Sequence, residues 1–352
     1  MSNPLADDLD HILAHTDGLW GDLRGKRVFI TGGTGFFGCW LLESLLWAND
    51  RLDLAISVTV LTRNPSGFHA KAPHLASHRA VHLHVGDVVD FTFPASEYSH
   101  VIHAATEASA QLARDDSLRM WHTIVTGTER TLEFAAQCGA KRYLLTSSGA
   151  AYGKQPPDLT HIPEEYAGAP DSLDTRSAYG EGKRAAEQLC ALYAARHGIE
   201  ATVARCFAFV GPYLPLDRHF AVGNFIRDGL RGGPIRVDGD GTPYRSYLYA
   251  ADLAIWLWTV LLRGQPRRAY NVGSENALTI SQLACTIAAA FDPLPEVIVA
   301  REPTPGEPAQ RYVPSTDRAL RELGLRVTVD VGDGISKTIR WHQHAPHRDN
   351  ET

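Results

Sequence analysis

Arg27-Val28-Phe29-Ile30-Thr31-Gly32-Gly33-Thr34-Gly35-Phe36-Phe37-Gly38 is the stretch on which the reading of the fold turns. Residues 27–30 read as a short buried strand, and a helical pattern follows over 36–48. Between them glycines stand at 32, 35 and 38. Gly32 permits the tight turn from strand to helix, Gly35 lets backbone N–H groups approach a diphosphate, and Gly38 lets the helix pack against the strand. A glycine triplet alone is a weak signal. One that follows a strand, opens a helix and lies near the start of the chain has the context of a dinucleotide-binding turn. Phe36 and Phe37, at the start of the helix, join the glycines as candidate cofactor contacts.

Further along, short apolar runs at 57–61, 81–85, 100–104, 142–145 and 201–207 alternate with helical patterns, among them 113–138 and 176–197. Strand–helix alternation of this length predicts an α/β fold built on a doubly wound parallel sheet. After about residue 207 the texture changes: Gly211-Pro212-Tyr213-Leu214-Pro215 and Arg231-Gly232-Gly233-Pro234 break the pattern, and prolines recur at 303, 305, 308 and 314. We expect a Rossmann-type domain over 26–207, to which 268–274, containing Tyr270-Asn271-Val272-Gly273, returns as a strand. The remainder, mainly 208–345, is expected to form a smaller mixed α/β C-terminal lobe over the carboxyl edge of the sheet, where ligands of such sheets bind. Leu5, Leu9, Ile12 and Leu13 share one helical face, so residues 1–25 read as an N-terminal helical extension.

Bulk composition narrows the function. Lys and Arg number 34 against 40 Asp and Glu, a net charge of −6 that disfavours nucleic acid as a partner. No stretch approaches the roughly 20 apolar residues of a membrane span, and no secretory signal opens the chain. Five scattered cysteines without CxxC spacing read as reduced thiols of a cytoplasmic protein. Sixteen histidines show no ligand spacing, so no metal is inferred.

The second strand ends Leu61-Thr62-Arg63-Asn64. An acidic residue at this point commonly holds the ribose diol of NAD. Thr62 stands there instead, and Arg63 follows. A guanidinium at that place can pair with a 2′-phosphate, which favours NADP(H), with NAD as the alternative; it can also be a solvated surface side chain. Asp87, in Gly86-Asp87-Val88 after the third strand, is placed to accept from an adenine amino group or to bond its own backbone. Val88, with Ala104 and Ala105 after the fourth strand, completes the candidate cofactor set.

Tyr179 and Lys183 form a YxxxK spacing, which puts both on one face of a helix. A phenol of pKa about 10 is a poor base at neutral pH, and an ammonium one turn away favours its ionised form. Lys183 can also bond the nicotinamide ribose. Ser148, in Thr146-Ser147-Ser148-Gly149 at the end of the fifth strand, can orient a reacting oxygen against the tyrosine.

The glycine loop, Ser147-Ser148-Gly149-Ala150-Ala151-Tyr152-Gly153, the Tyr179/Lys183 pair and Arg205-Cys206-Phe207-Ala208-Phe209-Val210-Gly211-Pro212 together resemble the extended short-chain dehydrogenase/reductases of the epimerase/dehydratase type. So do Gly239-Asp240-Gly241, Arg245-Ser246-Tyr247-Leu248-Tyr249-Ala250-Ala251-Asp252 and Tyr270-Asn271-Val272-Gly273. The likeness runs in order over about 26–325. It implies an NAD(P)-dependent oxidoreductase acting on a nucleotide sugar. Ser148, Tyr179 and Lys183 would be its catalytic triad. Arg245, Asn224 and Arg311 would meet the substrate diphosphate, and Thr106 and Ser148 the sugar. The alternative for Arg245 is a structural ion pair, and Glu107 either faces the sugar or is a solvated loop carboxylate. The resemblance also implies a homodimer through the helices at 113–138 and 176–197.

Departures from the family pattern select the reaction. The 4,6-dehydratases carry an Asp-Glu pair after the catalytic Ser or Thr, and the related decarboxylases keep the second carboxylate. Gly149 and Ala150 stand there, and neither can act as acid or base. Two reactions remain: reduction of a nucleotide 4-keto-6-deoxyhexose at C4, favoured by Thr62-Arg63, and 4-epimerisation with tightly held NAD, disfavoured by Ala208 in place of a common Asn. A non-catalytic dinucleotide-binding sensor or scaffold is the remote alternative.

Overall fold

The runs of β-branched and aromatic residues that read as strands come together in one sheet. The structure, a computed structural model, describes residues 3–106, 115–217 and 220–344. In chain order the first strands are β1 (Arg27–Thr31), β2 (Ser57–Thr62), β3 (Val81–Val85), β4 (His100–His103), β5 (Arg142–Ser148) and β6 (Glu200–Cys206). They are followed by β7 (Phe209–Val210), β8 (Ile235–Val237), β9 (Tyr244–Ser246), β10 (Leu248–Tyr249) and β11 (Arg268–Val272), then β12 (Ala277–Thr279), β13 (Val297–Val299) and β14 (Arg311–Tyr312). Seven strands form the main sheet in the order β11-β6-β5-β4-β1-β2-β3, and every neighbouring pair is parallel. This is a doubly wound Rossmann-like sheet. The chain reverses direction of winding at β1, which lies between β2 and β4, and the crevice of such sheets opens at the carboxyl ends of those strands. β5 runs beyond the expected 142–145 because Thr146, Ser147 and Ser148 continue to pair with β6, ending at Ser148 opposite Cys206.

The two-residue period of the strands divides the interior into two cores. Val28 and Ile30 of β1, Ile102 of β4 and Leu144 of β5 enter one core. Phe29, Val101, Tyr143 and Leu145 enter the other. Helices α1 (Ala6–His15) and α2 (Phe36–Leu52) and the helix Ala250–Arg263 cover the first. The helices Ser117–Gln137 and Ala178–His197 cover the second and pack on each other.

Leu5, Leu9 and Ile12 are buried in the first core, and Asp8 of α1 accepts the Tyr249 hydroxyl at 2.7 Å and is paired with Lys337. The helix Ala250–Arg263 falls within the 208–345 segment, yet it packs against α2 and the sheet. Beyond it, helix Ala221–Leu230, the β8–β13 pair and the small sheet β12-β9-β14 make up the outlying part. In that small sheet Tyr312 of β14 lies opposite Arg245 of β9, and Arg311 opposite Tyr244. No helix among the described residues is long and apolar enough to cross a membrane.

Candidate functional site

The glycine loop is closed by close backbone approaches. Gly32 has φ +70°, and a Cβ there would lie 2.5 Å from the Ala104 carbonyl. A Cβ on Gly38 would lie 2.3 Å from the Gly32 oxygen, which explains why helix and turn accept only glycine there. Gly33, absent from the sequence-based set, is equally constrained: its Cβ would meet Val60 Cγ1 at 2.6 Å. Gly35 differs, since its Cβ would touch only the Gly32 oxygen at 3.3 Å. It is the N-cap of α2 and has no side-chain cap, so the first N–H groups of that helix, those of Phe36 and Phe37 among them, are left for an anion. Thr31 ties the loop to the next strand: its hydroxyl accepts from Ala105 N at 3.2 Å and bonds His103 Nδ1 at 2.7 Å. These features fit the diphosphate of a dinucleotide.

At the far end of the crevice Thr62 is buried, and its hydroxyl accepts from Asn64 N at 3.2 Å. Arg63 and Asp87, read from the sequence as contacts to different parts of a cofactor, lie 3.6 Å apart as a largely exposed ion pair. Asp87 also accepts from Val89 N at 3.2 Å. Val88 turns its side chain into the second core, so only its backbone is available to a ligand.

Ser148, Tyr179 and Lys183 come together where β5 meets the helix Ala178–His197. The Ser148 hydroxyl accepts from Ala150 N at 3.1 Å, which leaves its proton to donate. Burial pushes the Tyr179 phenol up to about 12, opposed by its hydrogen bond with Ser148. Lys183 is 2% exposed, and burial pulls it down to about 8. Its ammonium lies 5.8 Å from the centre of the Tyr179 ring and donates to Thr106 Oγ1 at 2.7 Å and to the Thr146 carbonyl at 2.8 Å. Thr106, expected at the sugar, therefore has its hydroxyl on the lysine. One turn beyond Lys183, Glu187 accepts from Ser147 at 2.5 Å and holds Arg205.

One residue that sequence reasoning passed over reaches this centre. Tyr312 places its hydroxyl 3.4 Å from Ser148 Oγ, and its ring packs on Phe207 at 4.7 Å. Burial raises its pKa. A Cβ on Gly149 would lie 2.7 Å from both the Phe207 ring and the Tyr312 hydroxyl, so these aromatics fill the space beside Ser148. Arg245 stands next in line, 5.9 Å from the Tyr312 ring. Burial pulls its pKa below the ordinary guanidinium value, and it has no carboxylate partner among the described residues. Arg311 lies 4.0 Å over the Tyr244 ring. Asn224, on the helix Ala221–Leu230, accepts from Arg227 at 3.2 Å, and no described contact joins it to Arg245. Glu107 lies outside the described residues. Among those residues no group of three or more His, Cys, Asp or Glu could hold a metal ion.

With this geometry in hand, the profile of the NAD dependent epimerase/dehydratase family matches residues 28–273. UDP-glucuronic acid decarboxylase 5 of Arabidopsis thaliana is 32% identical over 310 residues, which cover 88% of this chain and 87% of the relative. UDP-glucose 4-epimerase of Thermotoga maritima, solved with UDP-glucose, superposes with a TM-score of 0.75 at 22% identity over 90% of this chain and 98% of its own. A dTDP-glucose 4,6-dehydratase of Streptomyces venezuelae, solved with NAD bound, gives 0.76 at 24% identity over 91% and 97%. At those identities the two structures speak for the fold alone.

Proposed function

This chain belongs to the NAD-dependent epimerase/dehydratase family and is an enzyme of the extended short-chain dehydrogenase/reductase type, and on that premise we propose that it reduces the C4 ketone of a nucleotide-linked 4-keto-6-deoxyhexose. The observation that carries this reading is the wall beside Ser148. Removal of water or carbon dioxide from a sugar needs a carboxylate or comparable group next to the ring. Gly149 has no side chain, and a Cβ there would have to push aside the ring edge of Phe207 and the Tyr312 hydroxyl, which fill the adjoining space; its neighbour Ala150 carries only a methyl. For that reason we do not assign to this chain the decarboxylation for which its Arabidopsis thaliana relative is named.

A dinucleotide held by the glycine turn and Lys183 would supply the hydride. The chain's own groups handle the oxygen and the proton. Ser148 donates a hydrogen bond to the ketone oxygen and orients it. Tyr179, whose raised pKa keeps it protonated near neutral pH, gives its proton to that oxygen as the alcohol forms. The Lys183 ammonium favours the phenolate left behind. Arg245, free of a carboxylate partner among the described residues, is the group proposed for the substrate diphosphate, aided by Arg311. Asn224, whose amide oxygen is engaged by Arg227, is assigned to the same diphosphate through its NH2 group. We assign NADP(H) as the preferred cofactor because Thr62 carries no charge and Arg63 stands beside it. The Arg63–Asp87 pair is exposed enough to be worth little, so a 2′-phosphate can replace Asp87 at modest cost.

The same pair favours the second reading, 4-epimerisation with NAD, since Asp87 already occupies Arg63. The two readings part on the purified protein. A reductase comes off the column without dinucleotide and binds NADPH more tightly than NADH. Stoichiometric NAD released on denaturation, with no binding of added cofactor, rejects the reductase in favour of the epimerase.

A further inference from the structure

We propose that Thr106 is a positioning residue for Lys183, and that its hydroxyl and the Thr146 carbonyl together aim one ammonium N–H at the dinucleotide. This rests on the reading of Lys183 as part of the cofactor site. An ammonium has three protons. One goes to Thr106 Oγ1 at 2.7 Å and one to the Thr146 carbonyl at 2.8 Å. With two bonds fixed, the tetrahedral nitrogen has a single direction for the third.

The polarity at Thr106 is also fixed. Its hydroxyl donates to the Ala105 carbonyl at 2.8 Å, so its proton is spent and the oxygen accepts from the lysine. The same residue therefore has no proton left to give a sugar oxygen. Ala105 is in turn held to the glycine loop through its N–H and Thr31. Lys183, Thr106 and the diphosphate turn thus form one hydrogen-bonded line.

Among the described residues no neighbour is placed to replace the Thr106 oxygen. The described ionisable groups facing Lys183 are Tyr179, Glu187 and Cys190 on its own helix, Cys206 at the end of β6, and His103 on β4. Glu187 is engaged by Arg205 and Ser147, and Cys190 and Cys206 are buried thiols whose pKa values are raised. His103 spends both ring nitrogens on Thr31 and Thr128. A 2%-exposed ammonium that loses one of two acceptors keeps its proton less readily. From a starting value pulled down to about 8, the change falls within an accessible pH range.

The test is the affinity of the full-length protein for NADPH and NADH, read by cofactor fluorescence across the pH range, for the wild type, Thr106→Val, Thr106→Ser and Lys183→Met. Thr106→Val should weaken binding about tenfold, as loss of a hydrogen bond to a charged group does, and move the alkaline midpoint of binding roughly one unit lower. Thr106→Ser should restore both. Thr106→Val with wild-type affinity and midpoint, beside a Lys183→Met that binds weakly, overturns the proposal alone. So does a Thr106→Ser variant that behaves like Thr106→Val. Lys183→Met binding as tightly as the wild type overturns the reading of Lys183 itself, and this proposal with it.

Discussion

Burial acts in opposite senses on Tyr179 and Lys183, one turn apart on the helix Ala178–His197. It raises Tyr179 to about 12 and lowers Lys183 to about 8, so near neutral pH the phenol holds its proton and the amine still carries its charge. That combination suits a proton donor with a cation ready to stabilise the resulting phenolate. Tyr179→Phe should therefore cut turnover by about 10²–10⁴-fold, the usual worth of a general acid, and leave dinucleotide affinity nearly unchanged. A variant that retains full turnover would remove Tyr179 from the chemistry. At this scale the sequence was legible where spacing alone sets geometry. The YxxxK interval fixes a shared helix face, and the glycine interval fixes a turn. Tyr312 was hidden because it comes from a two-residue strand far along the chain, and only its register with Arg245 brings it near Ser148. The bond from Lys183 to Thr106 was hidden for the same reason: it joins a helix side chain to one in the loop after β4, distant in sequence, which no local pattern encodes.

β1, β4 and the helix Ser117–Gln137 are joined by a buried imidazole. His103 bonds the Thr31 hydroxyl through Nδ1 at 2.7 Å and the Thr128 hydroxyl through Nε2 at 3.1 Å. Thr31 accepts from Ala105 N, so it donates to Nδ1; Thr128 donates to the Ile124 carbonyl, so it accepts from Nε2–H. This network assigns the neutral Nε2–H tautomer. Burial lowers His103 to about 3, and His100 on the same strand to about 4. The unfolded chain binds protons at these positions below about pH 6.5, whereas the folded one does not until far lower. Their contribution is complete above about 6.5 and is lost as the pH falls towards the folded values. At pH 5 the loss for His103 is about 2 kcal/mol, from 1.36 kcal/mol per pKa unit. Urea unfolding should show stability dropping between pH 7 and pH 5, with a shallower drop in His103→Asn. Equal slopes would mean that His103 is not buried neutral. Periodicity predicted β4 and the helix here, with boundaries off by a few residues. It was blind to the histidine's role, because an isolated His on an apolar strand has the same pattern whether it links loops or faces solvent.

Across the whole molecule, the N-terminal residues read as an extension are built into the first core through Leu5, Leu9 and Ile12, alongside the helix Ala250–Arg263. An amphipathic pattern shows that a helix has an apolar face but does not say which surface covers it, and so the packing was not legible. The opposite side of the sheet leaves apolar groups uncovered: Leu118 and Trp121 on the helix Ser117–Gln137 are 81% and 38% exposed, and Leu192 on the helix Ala178–His197 is 55% exposed. We propose that this helix pair meets its counterpart in a second copy to form a homodimer. Light scattering after size exclusion should give twice the chain mass, and Trp121→Glu should shift the protein towards monomer; a wild type that is monomeric at all concentrations contradicts the dimer.

The most direct test of the central claim is to supply NADPH and a nucleotide-linked 4-keto-6-deoxyhexose, and to follow cofactor oxidation together with the configuration formed at C4. The account predicts one NADPH consumed for each new C4 hydroxyl, of a single configuration, at a rate cut by about 10²–10⁴-fold in Tyr179→Phe. No consumption of NADPH, with a nucleotide hexose instead interconverted at C4 while enzyme-bound cofactor is unchanged, would contradict it.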